Sequence, residues 1–256
     1  RFGWVAEAVQ LAAVLTFWLA GGFPLLDAWV RTLGVGPIFT GLVFVGVLVV
    51  LHSIIALPFS VYSTFVIEEK FGFNRTSWRT FVVDRIKGGV LGCLLGAPLL
   101  AGILFFFQEA GPWAWVYSWA AVVGFMLVMQ YVAPTWIMPL FNRFEPLADT
   151  ALETAIRRYA DAIDFPLQNV FVMDGSKRSG KGNAFFTGFG RNRRIVLFDT
   201  LIKQHDRDEL VAIIAHEMGH YKKHHIHTGL MAGVAQTGVM FFLLSICIAH
   251  PALFAA

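Results

Sequence analysis

Residues 88–107, GGVLGCLLGAPLLAGILFFF, run for twenty positions without a charged side chain. A helix of that length crosses the roughly 30 Å hydrocarbon core of a bilayer. Four more stretches have the same character, at roughly 4–29, 38–59, 114–136 and 228–249. Composition agrees with a membrane solvent. The chain is 57% hydrophobic and 14% charged, against about 25% charged in an ordinary soluble domain. The expected fold is therefore a polytopic α-helical membrane protein with a smaller polar part. The first stretch is interrupted by Glu7, Gly21, Gly22, Pro24 and Asp27, so it is expected to be broken or tilted.

The charges orient the spans. Segment 60–87 carries five basic residues (Lys70, Arg75, Arg79, Arg85, Lys87) and segment 141–225 carries thirteen. The connection 30–37 has only Arg31, and 108–113 has none. Basic residues accumulate on the cytoplasmic side, which places 60–87, 141–225 and Arg1 there. A net charge of +3 and the lack of a basic run interleaved with aromatics argue against nucleic acid as a partner. Cys93 and Cys247 lie in apolar segments and are read as small buried hydrophobes rather than as a disulfide or ligand pair. Arg1 leads into a long span, not into the short apolar core and cleavage site of a secretory signal.

Two domains are expected, a membrane domain over 1–140 and a second over 141–256 that ends in the last span. In the second, EPLADTALETAIRRYADAID (145–164) has helical apolar spacing, with Asp149 or Thr150 as its cap. Residues 169–174, 183–189 and 194–199 read as strands, the last two joined by a GRNR hairpin turn. GSKRSGKGN (175–183) is a glycine-rich basic loop without the phosphate-loop pattern. HDRDELVAIIAHEMGHYKK (205–223) reads as a helix, with acidic residues early and Lys222 and Lys223 late.

That last helix carries the chemistry. His216 and His220 stand four apart, on one helix face, where two imidazoles can converge on a tetrahedral zinc. Glu217 follows directly and can take a proton from a metal-bound water. Gly219 costs about 1 kcal/mol relative to Ala, so something is expected to approach the backbone closely there. His224 lies about 6 Å along the axis from His220, and three ligands in one row do not surround an ion. His224, His225 and His227, with Lys222 and Lys223, read as a wet basic collar at the membrane interface. His52 is an ionisable residue inside a span.

The segments VYSTFVIEEKFGFNRTS (61–77), PLFNRFEPL (139–147), IDFPLQNVFVMDGSKRSGKGNAFFTGFGRNRRIVLFDTLI (163–202), AHEMGHYKKHH (215–225) and LFAA (253–256) occur in one collinear order. In them the chain resembles the CAAX prenyl protease 1 family, integral-membrane zinc metalloproteases of the gluzincin type. The resemblance implies a seven-span fold around a water-filled chamber, five spans of which are here, with a small α+β zincin-like domain facing the cytoplasm. It implies one zinc ion held by His216 and His220, Glu217 as catalytic base, and Asn183 and Ala184 on a substrate-binding edge strand. The family's third ligand, a glutamate, falls beyond Ala256, so no third ligand is expected in this chain and the chain alone is expected to be inactive. The segment VIEEKFGFNR is implied to be a structural elbow packed against the protease domain.

The implied partners are a peptide or protein substrate, C-terminally prenylated in this family, and the lipid bilayer, with no nucleic acid. The implied location is a multi-pass protein of a bacterial inner membrane or of the endoplasmic reticulum. Alternative functions are a general quality-control protease for membrane proteins, a metal transporter or sensor using KKHHIH as an entry site, and an inactive scaffold.

Overall fold

The structure, a computed structural model, describes residues 2–187, 193–223 and 225–250, without the side chains of 221, 222 and 225–227. Among the described residues, five helices are long and apolar enough to cross a membrane: Phe2–Leu19, Pro37–Glu68, Trp78–Glu109, Gly111–Phe141 and Thr228–Ala249. They form a polytopic membrane fold, and the chain divides into two compact units.

The first unit comprises residues 1–72 and 86–121. Helix α1 (Phe2–Leu19) ends at a break, as the interrupting residues predict, and α2 (Gly22–Arg31) follows. The break is a left-handed turn at Gly21, with φ of 72°, a conformation costly for any residue with a Cβ. Helix α3 (Pro37–Tyr62) continues without interruption into a π-helical turn, Ser63–Glu68. Phe2 of α1 stacks on Tyr62 of α3, with ring centroids 5.1 Å apart. Helix α4 (Trp78–Glu109) starts ten residues before the apolar run at 88, because Arg79, Asp84, Arg85 and Lys87 extend the same helix into a polar setting. Hydropathy alone cannot mark such an end. Cys93 and Cys247 are free and exposed, which corrects the expectation that they are buried. Each lies on a span surface that no described part of this chain covers.

The second unit comprises residues 73–85 and 122–256. Helix α5 (Ala114–Val132) passes through a second π-helical turn, Ala133–Ile137, into the short α6 (Met138–Phe141). A four-stranded sheet follows, built from β1 (Phe144–Pro146), β2 (Leu167–Met173), β3 (Ala184–Thr187) and β4 (Arg193–Phe198), in the order β1-β2-β4-β3. β1 and β2 are antiparallel, β2 and β4 parallel, and β4 and β3 antiparallel. Strand β1 precedes the expected cap and was not anticipated in the sequence. The helix, α7, begins at Thr150 and runs to Ala162, with the Asp149 carboxylate accepting from the Ala151 and Leu152 N–H groups at 3.0 Å each. The expected GRNR turn lies outside the described residues except for Arg193.

Helices α8 (Asp199–Gln204) and α9 (Arg207–Lys222) complete the domain, and α10 (His225–Ala249) is the last span. Both α7 and α9 pack on each other and on the sheet. Leu152, Ile156, Val170, Ala184, Ile195, Leu197, Ile214 and Met218 are buried between them. Alternation along β4 puts Ile195 and Leu197 on the helix-covered face.

Candidate metal centre and substrate edge

Helix α9 starts in a reciprocal cap. The Glu209 N–H donates to the Asp206 carboxylate (2.9 Å), and the Asp206 N–H donates to the Glu209 carboxylate (3.1 Å). This pairing satisfies donors that a helix start leaves open. Leu210, Ile214 and Met218, four apart, are all buried. One stripe of the helix is thereby fixed into the core, and the opposite stripe must face outward. Ala212, His216, Gly219 and His220 are exposed, and Glu217 is half-buried between the two faces.

On that outward face the Nε2 atoms of His216 and His220 approach to 3.2 Å, with ring planes at 88°. Two imidazole nitrogens bound to one tetrahedral zinc at about 2.0–2.1 Å stand about 3.3 Å apart. The pair therefore fits as two of the ligands of such an ion. Among the described residues, no group of three or more His, Cys, Asp or Glu side chains is placed to hold a metal. His224, and the side chains of His225 and His227, lie outside the described residues. At Gly219 a Cβ would meet nothing within 4 Å. The close approach expected there is thus not made by any described part of this chain, and the helix surface beside the histidines is open.

Helix α9 packs against β3, the strand at one edge of the sheet. The Phe198 N–H donates to the Asn183 carbonyl at 2.9 Å. The alternation of an antiparallel ladder then turns Phe185 and Thr187 toward β4 and leaves the backbone groups of Ala184 and Phe186 on the open side. The Ala184 side chain is in the core, so only its backbone can meet a ligand. Its N–H donates to the Asn183 side-chain oxygen at 2.9 Å. Asn183 itself is exposed and stands just ahead of the strand.

The loop leading into β3 is pinned from α8. Asp199 accepts from the Ser176 N–H (2.8 Å) and from the Ser176 hydroxyl. Burial opposes ionisation of Asp199, but these two bonds and Lys203 outweigh it and hold the carboxyl below its usual range. A Cβ at Gly175 would fall 2.4 Å from the Phe198 ring, so only glycine lets the loop pass there. Thr200 Oγ1 donates to the Lys181 carbonyl and Gln204 Nε2 to the Gly180 carbonyl, both at 2.8 Å.

The segment VIEEKFGFNR meets this loop on its other side through Phe73 and Arg75, but sequence reasoning missed the ion pair that holds it there. Residues 73–85 fold with the second unit, and Arg178 pairs with Asp84 at 2.7 Å. An acidic residue standing alone among Arg75, Arg79, Arg85 and Lys87 is the signal that marked it.

Comparison with known proteins gives the same picture. Residues 1–143 match the family model described as CAAX prenyl protease N-terminal, five membrane helices, and residues 146–255 match peptidase family M48. A CAAX prenyl protease 1 homolog of Arabidopsis thaliana is 45% identical over 88% of this chain and 55% of its own length. CAAX prenyl protease 1 of Saccharomyces cerevisiae is 40% identical over 82% of this chain and 47% of its own. The crystal structure of S. mikatae Ste24p superposes with a TM-score of 0.88 at 36% identity, covering 95% of this chain and 58% of that one. The chain spans about half the length of the curated relatives it matches. With a five-helix membrane pattern, an M48 domain and two facing histidines in one collinear chain, it belongs to the CAAX prenyl protease family.

Proposed function

We propose that the protein formed with this chain is a membrane-embedded zinc metalloendopeptidase that cleaves prenylated CAAX-type proteins near their C-terminus. The observation that carries the reading is the His216–His220 pair, 3.2 Å apart on the open face of a helix that packs against an edge strand. The substrate class follows from the names of the relatives, which are CAAX prenyl proteases.

In this reading His216 and His220 would hold the metal through Nε2, and a zinc ion there would supply the Lewis acidity that makes water a nucleophile at neutral pH. Glu217 accepts the proton of the attacking water and delivers it to the leaving amine. The open side of β3 takes the substrate as an added strand through the Ala184 carbonyl and the Phe186 backbone. Asn183, at the head of that strand, hydrogen-bonds the peptide near the scissile bond. The eighteen basic residues in 60–87 and 141–225, against one in the opposite connections, support a cytoplasmic protease domain.

Glu217→Gln in the full-length protein tests the assignment. An amide cannot accept the water's proton, so kcat falls by roughly three powers of ten or more while zinc stays bound. Turnover within a few-fold of wild type would put the base elsewhere.

A further inference from the structure

Arg178 sits on the loop between β2 and β3, five residues before Asn183. Its Nε and Nη2 donate to the two oxygens of Asp84 at 2.7 and 3.0 Å. Nη2 also donates to the Phe141 carbonyl at 2.9 Å, and Nη1 donates to Asn142 Oδ1 at 3.0 Å. Asp84 lies in the second turn of the span helix α4, and Phe141 ends the span Gly111–Phe141. One guanidinium thus joins the polar ends of two spans to the loop that feeds the substrate edge. The pairs Asp27–Arg31, Glu153–Arg157, Asp199–Lys203 and His205–Glu209 each join residues four positions apart, whereas Asp84 and Arg178 are 94 apart. Both side chains are three-quarters covered, at 25% and 24% exposure.

The backbone repeats the connection. The Arg178 carbonyl accepts from the Arg75 N–H (3.1 Å) and the Thr76 hydroxyl (2.9 Å). The Gly180 N–H donates to the Phe73 carbonyl at 2.7 Å, and Asn74 bridges Ser179. Asn142 and the Arg143 N–H both donate to Asp174 Oδ1, at 3.0 and 2.8 Å. With α8 bonded to its other side, the loop that leads into β3 is held from both sides.

We propose that Arg178 is a positioning residue that sets the height of the substrate edge relative to the membrane. The proposal rests on the protease reading for its consequence. A substrate anchored by a lipid group presents its scissile bond at a fixed depth, and it pairs with β3 only if the strand is held at that depth. A short soluble peptide reaches the strand from any height. Lysine cannot replace the arginine, because an ammonium lacks the planar fork that spans the Asp84 carboxylate while also reaching Asn142 and Phe141.

The test uses Arg178→Lys and Asp84→Asn in the full-length protein in bilayers. KM for a prenylated peptide rises on the order of tenfold, the scale of a lost charge-assisted fork. Zinc content, and kcat/KM for a short unlipidated peptide, stay within about twofold. Equal losses on both substrates, or no loss on either, overturn the proposal. Spin labels at Arg79 and Thr187, in a background free of other reactive cysteines, supply a readout independent of turnover. Their distance distribution is narrow in the wild type and broad in Arg178→Lys. An unchanged distribution overturns the positioning role, whereas a wild-type protein that cleaves neither peptide refutes the protease reading instead.

Discussion

The spans and the sheet domain use the same side chains in opposite ways. Leu19 and Leu94 stand 84% and 65% exposed on α1 and α4, while Leu152 and Leu197 are at 1% and 0% in the core between helices and sheet. The cause is the solvent. In water a leucine gains about 1.5–3 kcal/mol by burial, so the pattern Leu210, Ile214, Met218 decides which way α9 faces. In lipid the outside is as apolar as the inside, and burial gives a span little sense of direction. Orientation there must come from close contacts such as Phe2 on Tyr62 and from polar ends such as Asp84 with Arg178. His216 and His220 therefore gain their placement from the sheet domain, and the span ends at Asp84 and Phe141 gain theirs from that domain's polar loop.

Three measurements press on this contrast. The largest effect concerns which side is wet. With Cys93 and Cys247 replaced, single cysteines at Glu109 and Lys203 should react with an impermeant reagent from opposite faces of the membrane, all or none. Labelling of both from one face would remove the cytoplasmic assignment. Next is Ile214→Ala, which empties a fully buried position directly behind the histidines. Its expected cost is about 2–5 kcal/mol, read as a lower melting temperature and weakened zinc retention. The smallest effect is Leu94→Ala. Its side chain faces outward from α4, and stability in bilayers should change by less than about 0.5 kcal/mol. A loss comparable to that of Ile214→Ala would mean that the exposed span faces are packed surfaces in the whole protein.

The features legible in the sequence are those whose cause is local. Twenty uncharged residues announce a span without reference to anything else, and Asp149 before TALETAI announces a helix start. The pair His216 and His220 is fixed by the pitch of one helix, so its convergence follows from a spacing of four. Strand β1 was missed because Phe-Glu-Pro is short, charged and proline-containing, and it exists only by pairing with Phe171–Met173. The Arg178 clasp was missed for a related reason: nothing in GSKRSGKGN points to a partner 94 positions earlier. The start of α4 at Trp78 was hidden by its polar first turns, which obey helical hydrogen bonding but not hydropathy.

Each of the two span ends at Ser63–Glu68 and Ala133–Ile137 is wound as a π turn and not as a continued α-helix. A π turn bonds residue i to i+5 and so absorbs one surplus residue without interrupting the rod. One residue corresponds to about 100° of rotation in an α-helix. The turn therefore uncouples two quantities that an unbroken helix ties together, the thickness of bilayer it spans and the compass direction in which its last turn points. A span with such a joint can be matched to its membrane while its exit stays aimed at a fixed neighbour, as a threaded coupling lets a pipe be cut to length and still face its fitting.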